Sequence, residues 1–149
     1  MKKLSFILIS LLFLMALPAL AAPETDGWER DGKYNHFFDS RSMVSITGQI
    51  TKIDREYRPL PDMAVGLAVT VKTKKGKSYL VEVGPSWFTS FFARKWDVKV
   101  GDTVDIRGSE VTIEDKPVIM AVWGKKGDLA MTVRSLKGAP VWDLEISDF

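Results

Sequence analysis

Gly84-Pro85-Ser86-Trp87-Phe88-Thr89-Ser90-Phe91-Phe92-Ala93-Arg94-Lys95-Trp96 carries the helical apolar spacing that decides the fold. Trp87, Phe88, Phe91 and Phe92 recur at i, i+1, i+4 and i+5, with Trp96 four residues beyond Phe92. That spacing lays one apolar stripe along about three turns of helix. Ser86 is placed to cap the start, and Pro85 suits the first helical position equally well. Arg94 and Lys95 fall near the other end, where positive charge complements the helix dipole. On either side the period changes from helical to two.

Upstream, Val44, Ile46, Gly48 and Ile50 alternate with Ser45, Thr47, Gln49 and Thr51, as in a half-buried strand. Gly48 inside that run marks a bulge or tight bend. Arg55 to Asp62, with Pro59 and Pro61, reads as a loop. Leu67, Val69 and Val71 mark a second strand, and Tyr79, Val81 and Val83 a third. Lys74-Lys75-Gly76-Lys77 is the hairpin turn between them. Downstream, Gly101-Asp102 turns the chain into Val104 and Ile106, and that strand continues towards Val111 and Ile113. Glu114-Asp115-Lys116 leads into the apolar run ending at Trp123, either face of which could be inside. Lys125-Lys126-Gly127-Asp128 turns into Leu129, Met131 and Val133. Gly138-Ala139-Pro140-Val141-Trp142 is irregular, and Trp142 after a proline-fixed turn is expected to latch the fold.

Three strands, a helix, then two or three strands is the order of an OB-type barrel. The expectation is a mainly β protein: a small OB-like Greek-key barrel of five or six antiparallel strands, with one helix between strands 3 and 4. The aromatic stripe would plug one end, so Trp87→Ala is predicted to cost roughly 3–5 kcal/mol.

Lys2 and Lys3 precede an apolar run from Leu4 to Leu17, followed by Pro18 and Ala19-Leu20-Ala21. This is the pattern of a secretory signal peptide cleaved near Ala21. The run is shorter than the ~20 residues that span a bilayer. The expected organisation is signal 1–21, extended leader 22–43, OB-like domain 44–142 and acidic tail 143–149. The chain has 149 residues, 21 basic and 19 acidic. Removing Lys2 and Lys3 with the signal leaves 19 of each, a neutral periplasmic or secreted domain. Neutrality argues against nucleic acid as a partner, because that affinity comes largely from neutralising phosphates. The chain holds no cysteine, which excludes disulfides, thiolate metal sites, a cysteine nucleophile and covalent haem attachment.

Several short motifs recur together: Tyr34-Asn35 to Asp39, Gly48, Met63 with Gly66, and Val83-Gly84-Pro85-Ser86-Trp87. Gly101-Asp102, Gly108-Ser109, Val111-Thr112 and Gly138-Ala139-Pro140-Val141-Trp142 complete the set. In these the chain resembles a family of small exported OB-like proteins whose domain is similar to the C-terminal domain of the magnetosome proteins MamS and MamX. The resemblance implies Gly48, Gly84, Pro85, Trp87, Gly101, Asp102, Gly138, Pro140 and Trp142 as structural positions. It also implies an alternative role as an accessory subunit of an envelope redox or metal-handling complex. Ser135-Leu136-Lys137 stands where an aspartate is expected before the last glycine motif.

His36 is the only histidine, and one histidine beside Asp39 does not make a metal site. Nor does it make a triad on an irregular leader with no nucleophile elbow. Asp102 reads as a turn residue, and Asp105 with Arg107 as a solvated strand face. The lysines at 72, 74, 75 and 77, with Lys125 and Lys126, form a positive rim on two hairpins or simply blunt exposed edges. The reading is therefore a non-enzymatic binding module without a cofactor, for a partner protein or a small anionic envelope ligand. The surface expected to bind comprises Arg55, Tyr57, Arg58, Lys72, Tyr79, Glu114 and Lys116.

Overall fold

The computed structural model describes residues 27–92 and 97–143. The expected signal, the end of the acidic tail and Arg94, Lys95 and Trp96 lie outside the described residues. Six strands form one sheet: β1 Met43–Tyr57, β2 Gly66–Thr73, β3 Ser78–Pro85, β4 Thr103–Ile113, β5 Lys116–Lys126 and β6 Leu129–Thr132. A short helix, α1 Ser86–Phe92, joins β3 to β4. The mainly β, OB-like architecture expected from the sequence is what forms.

The sheet runs β3-β2-β1-β4-β5-β6, and β3 also pairs with β5, closing β1, β2, β3, β5 and β4 into a ring. The closing pair, Val81↔Ile119 and Glu82↔Met120, is parallel, whereas an all-antiparallel set was expected. Closure requires β1 to serve two neighbours. Its first half, Met43–Gln49, pairs with β4. From Gly48 onwards it pairs with β2, up to Tyr57 opposite Gly66. Gly48 is where the two pairings overlap, and a Cβ there would stand 2.4 Å from the Lys72 carbonyl oxygen. This close approach accounts for the glycine, and the register irregularity of β1 against β2 falls further on, between Ile50 and Lys52. Arg55, Glu56 and Tyr57, expected in a loop, instead prolong β1.

Ile46, Ile50, Val69, Val71, Val81, Val83, Val104, Ile106, Ile119 and Ala121 fill the ring. The opposite faces of β3 and β5 are covered as well. Val118 and Met120 join Trp28, Tyr34, Leu60, Met63 and Ile113 in a second core, beneath the leader. An apolar run without alternation, Val118 to Val122, is what a strand covered on both faces requires. A bulge then interrupts the β4–β5 register between Arg107 and Gly108, whose partners are Trp123 and Ala121. Skipping Val122 puts Trp123 in line with Arg107 and Thr132, and it remains half-buried.

The helix departs from expectation. Within its seven described residues, Phe88 is buried, while Trp87 is 39% and Phe91 79% exposed. Among the described side chains Phe88 is the aromatic of this helix that enters the core and Trp87 is not, so the predicted cost of Trp87→Ala is too high. Phe88 packs at 5.2 Å against Trp142. The Trp142 ring lies 2.8 Å from where a Gly84 Cβ would stand, and its indole N–H donates to the Trp28 carbonyl at 2.8 Å. The latch expected at Trp142 thus forms, joining leader, helix and β3. The Ser86 hydroxyl does not cap the helix; it donates to the Arg55 carbonyl at 3.0 Å.

Candidate functional site

The tip of the β2–β3 hairpin reaches past the last β1–β2 pair, Gly48 opposite Thr73, towards the first half of β1. Gly76 makes the tip turn with φ +84°, its N–H donating to the Thr73 carbonyl at 2.9 Å. An open groove of about 860 Å³ lies between the hairpin tip and β1. Lys72, Lys74 and Lys75 of the hairpin, Thr47 and Gln49 of β1, and Tyr79 of β3 are among the residues that line it. Lys77 sits 4.5 Å over the Tyr79 ring, a cation–π contact that steadies the hairpin. No carboxylate or imidazole lines the groove. Ammonium groups and hydroxyls together attract and hydrogen-bond an anion.

The seven residues expected to form one surface are divided. Lys72 and Tyr79 line the groove. Tyr57, Glu114 and Lys116 gather elsewhere: Lys116 Nζ stands 5.8 Å over the Tyr57 ring, and the Tyr57 pKa is raised by burial first, then Glu82, with Asp54 and Glu114 adding the least. Arg58 is committed to the loop, its guanidinium donating to the Met63 carbonyl. Arg55 is exposed, with its carbonyl on Ser86.

The Tyr57 group surrounds a residue that sequence reasoning missed. Glu82 is fully buried and accepts from the Tyr34 and Tyr57 hydroxyls, both at 2.8 Å. Burial pushes its carboxyl above the usual range, against the pull of the two hydroxyls, Arg134 and Lys116. The same burial, with the Glu82 charge, drives both phenols upwards. Arg134, also fully buried, donates through Nη1 to the Ala121 carbonyl at 2.8 Å. Its guanidinium stacks 5.0 Å from the Trp142 ring and 5.7 Å from Tyr34. Nε and Nη2 have no hydrogen-bond acceptor among the described residues. Glu82 sits at an outward position of an alternating strand, so nothing in its neighbourhood signals burial.

Asp102 forms the turn expected of it, accepting from the Lys99 N–H at 2.7 Å and pairing with Lys126 at 2.7 Å. The ammonium and the Lys99 N–H hold its carboxyl below the usual range. Asp39 is taken by Arg41 at 3.0 Å, not by His36. Among the described residues no three His, Asp or Glu side chains gather as a metal site would need. Nor is any described helix long and apolar enough to cross a membrane.

A closed OB-like ring with a basic groove beside its first strand defines a small β protein of OB type. The chain belongs to the MamS/MamX magnetosome protein family, whose model matches residues 42–131. The match runs from the residue before β1 into β6. No curated protein matches the chain significantly. Among solved structures, a chain of the S. pombe Stn1-ten1 complex is 18% identical with a TM-score of 0.45. The alignment covers 58% of this chain and 59% of that one.

Proposed function

We propose that this protein is an exported binding module, not an enzyme, that holds an anionic partner segment or small envelope ligand in the groove beside β1. The observation that carries this reading is the groove lining: three lysines and a row of hydroxyl and amide side chains, with no carboxylate or imidazole among them. Of the surface expected from the sequence, Lys72 and Tyr79 belong to it. Export rests on the pattern of residues 1–21.

The test is an amide chemical-shift titration of residues 22–149 with two probes, inorganic polyphosphate and poly-L-glutamate. Shifts are expected along Ser45–Thr51 and Lys72–Tyr79, and should vanish in the Lys72→Glu/Lys74→Glu/Lys75→Glu variant. Shifts confined to Tyr57, Glu114 and Lys116 would move the site to the other cluster. Silence towards both probes would remove the reading.

Family membership supports a second role, as an accessory subunit of a magnetosome-associated complex. Stable co-purification with other envelope subunits at high salt would favour it, because a lysine-held anion is released by screening.

A further inference from the structure

The edge of β1 within this groove is unfinished. Met43–Thr47 pair with β4 on one side, but the register with β2 begins only at Gly48, opposite Thr73. Beyond Thr73 the hairpin has already turned back, with the Thr73 N–H donating to the Lys77 carbonyl at 2.9 Å. No strand among the described residues continues the line of β2 past that point.

The backbone alternation fixes which groups face the vacancy. The Ile50 N–H donates to the Asp102 carbonyl at 2.9 Å, on the β4 side. In an antiparallel ladder, alternate residues direct N–H and C=O to opposite edges. Gly48, Ile46 and Val44 therefore face β4 with Ile50, and Ser45 and Thr47 aim their amides and carbonyls at the groove. Both of these residues line it. Their side chains are exposed; the Thr47 hydroxyl is turned to Asp105 at 2.6 Å, across the β1–β4 pair.

We propose that the groove takes an extended acidic peptide segment of a partner protein as an added strand along Met43–Thr47. This deepens, and rests on, the binding reading given above. Five residues of edge offer about 16 Å of ladder, enough for a short segment whose main chain supplies the pairing and whose side chains supply selectivity. Acidic character follows from Lys72, Lys74 and Lys75, which stand where the added strand would meet the hairpin. The inner face of the groove, with Ile46 and Tyr79 among its lining residues, favours apolar residues at alternate positions of the segment.

The probe is a capped eight-residue peptide alternating glutamate and valine, added to residues 22–149. Hydrogen exchange at the Ser45 and Thr47 amides should slow at least tenfold on binding, with little change at Ile46. N-methylating every second peptide residue should weaken binding at least tenfold in the phase whose N–H groups face β1 and little in the other phase, and a lysine–valine peptide should not bind. Thr47→Pro, which removes one groove-facing N–H, should lose the peptide while retaining polyphosphate. Equal binding of both N-methylated peptides would overturn strand addition and leave the charge-based groove intact. Groove shifts with polyphosphate alone would do the same. Failure of peptide and polyphosphate together would overturn both readings.

Discussion

Tyr34 reaches Glu82 from the leader and Tyr57 reaches it from the end of β1, so one carboxylate ties three segments of the chain. Burial raises the Glu82 pKa in the folded state above its ordinary value of 4.5. Between that value and the raised one, the folded chain holds a proton that the unfolded chain has lost. The contribution of this group to stability is therefore present below pH 4.5 and lost as pH rises through the folded pKa. Urea unfolding across this window should show the loss in the wild type and a flatter profile in Glu82→Gln. Tyr34→Phe removes one of the two hydroxyl donors and should cost about 1–3 kcal/mol. Its measure is the urea midpoint at neutral pH, where an unchanged value would mean that the bond contributes nothing. Neither role was legible in the sequence. A glutamate at an outward position of an alternating strand reads as solvated, and only the leader folding over β3 makes it interior.

Among the elements, the first half of β1 was the most legible, because strict alternation has a single structural explanation. Gly48→Ala would push a Cβ to 2.4 Å from the Lys72 carbonyl and 2.9 Å from Val71 Cγ1. Both strands at that point are locked by pairing, so the cost should be at least about 1–3 kcal/mol, read as a lowered melting temperature. The extension of β1 through Tyr57 was hidden by the polar composition of Arg55-Glu56-Tyr57; the strand passes an irregularity after Asp54 and pairs with β2 again at Tyr57, opposite Gly66. The helix was legible in position and not in orientation. Adjacent aromatics at i and i+1 lie about 100° apart, and the spacing leaves open which of the two turns inward. Phe88→Ala should cost about 3–5 kcal/mol, as for a buried ring, and Trp87→Ala distinctly less. Thermal melts of the two variants decide it, and the reverse order would contradict the burial of Phe88.

The whole molecule is held by two cores on opposite faces of one wall, with β3 and β5 shared between them. The covered run from Val118 to Val122 hinted at this, since a strand open to water on one face would alternate. That aromatics of the polar, irregular leader would tuck onto the domain was legible; the places Trp28 and Tyr34 take were not, because they are set by contacts distant in sequence. Trp28 is 1% exposed, and its indole N–H donates to the Ala64 carbonyl at 2.8 Å. Its ring meets Tyr34 at 5.1 Å and Trp142 at 6.1 Å, both edge-on. The leader thus behaves as part of the fold, not as a tether to it. Trp28→Ala alone should cost about 3–5 kcal/mol, a large share of the ~5–15 kcal/mol that stabilises an ordinary domain. Deleting residues 22–42 removes Trp28 and Tyr34 together, uncovers Met63, Val118 and Met120, and leaves Glu82 with a single phenol. A chain beginning at Met43 should therefore bind a hydrophobic dye and lose its cooperative melt, although every strand of the ring is still encoded. A truncated chain that melts cooperatively within a few degrees of the longer one would show instead that the ring core alone suffices.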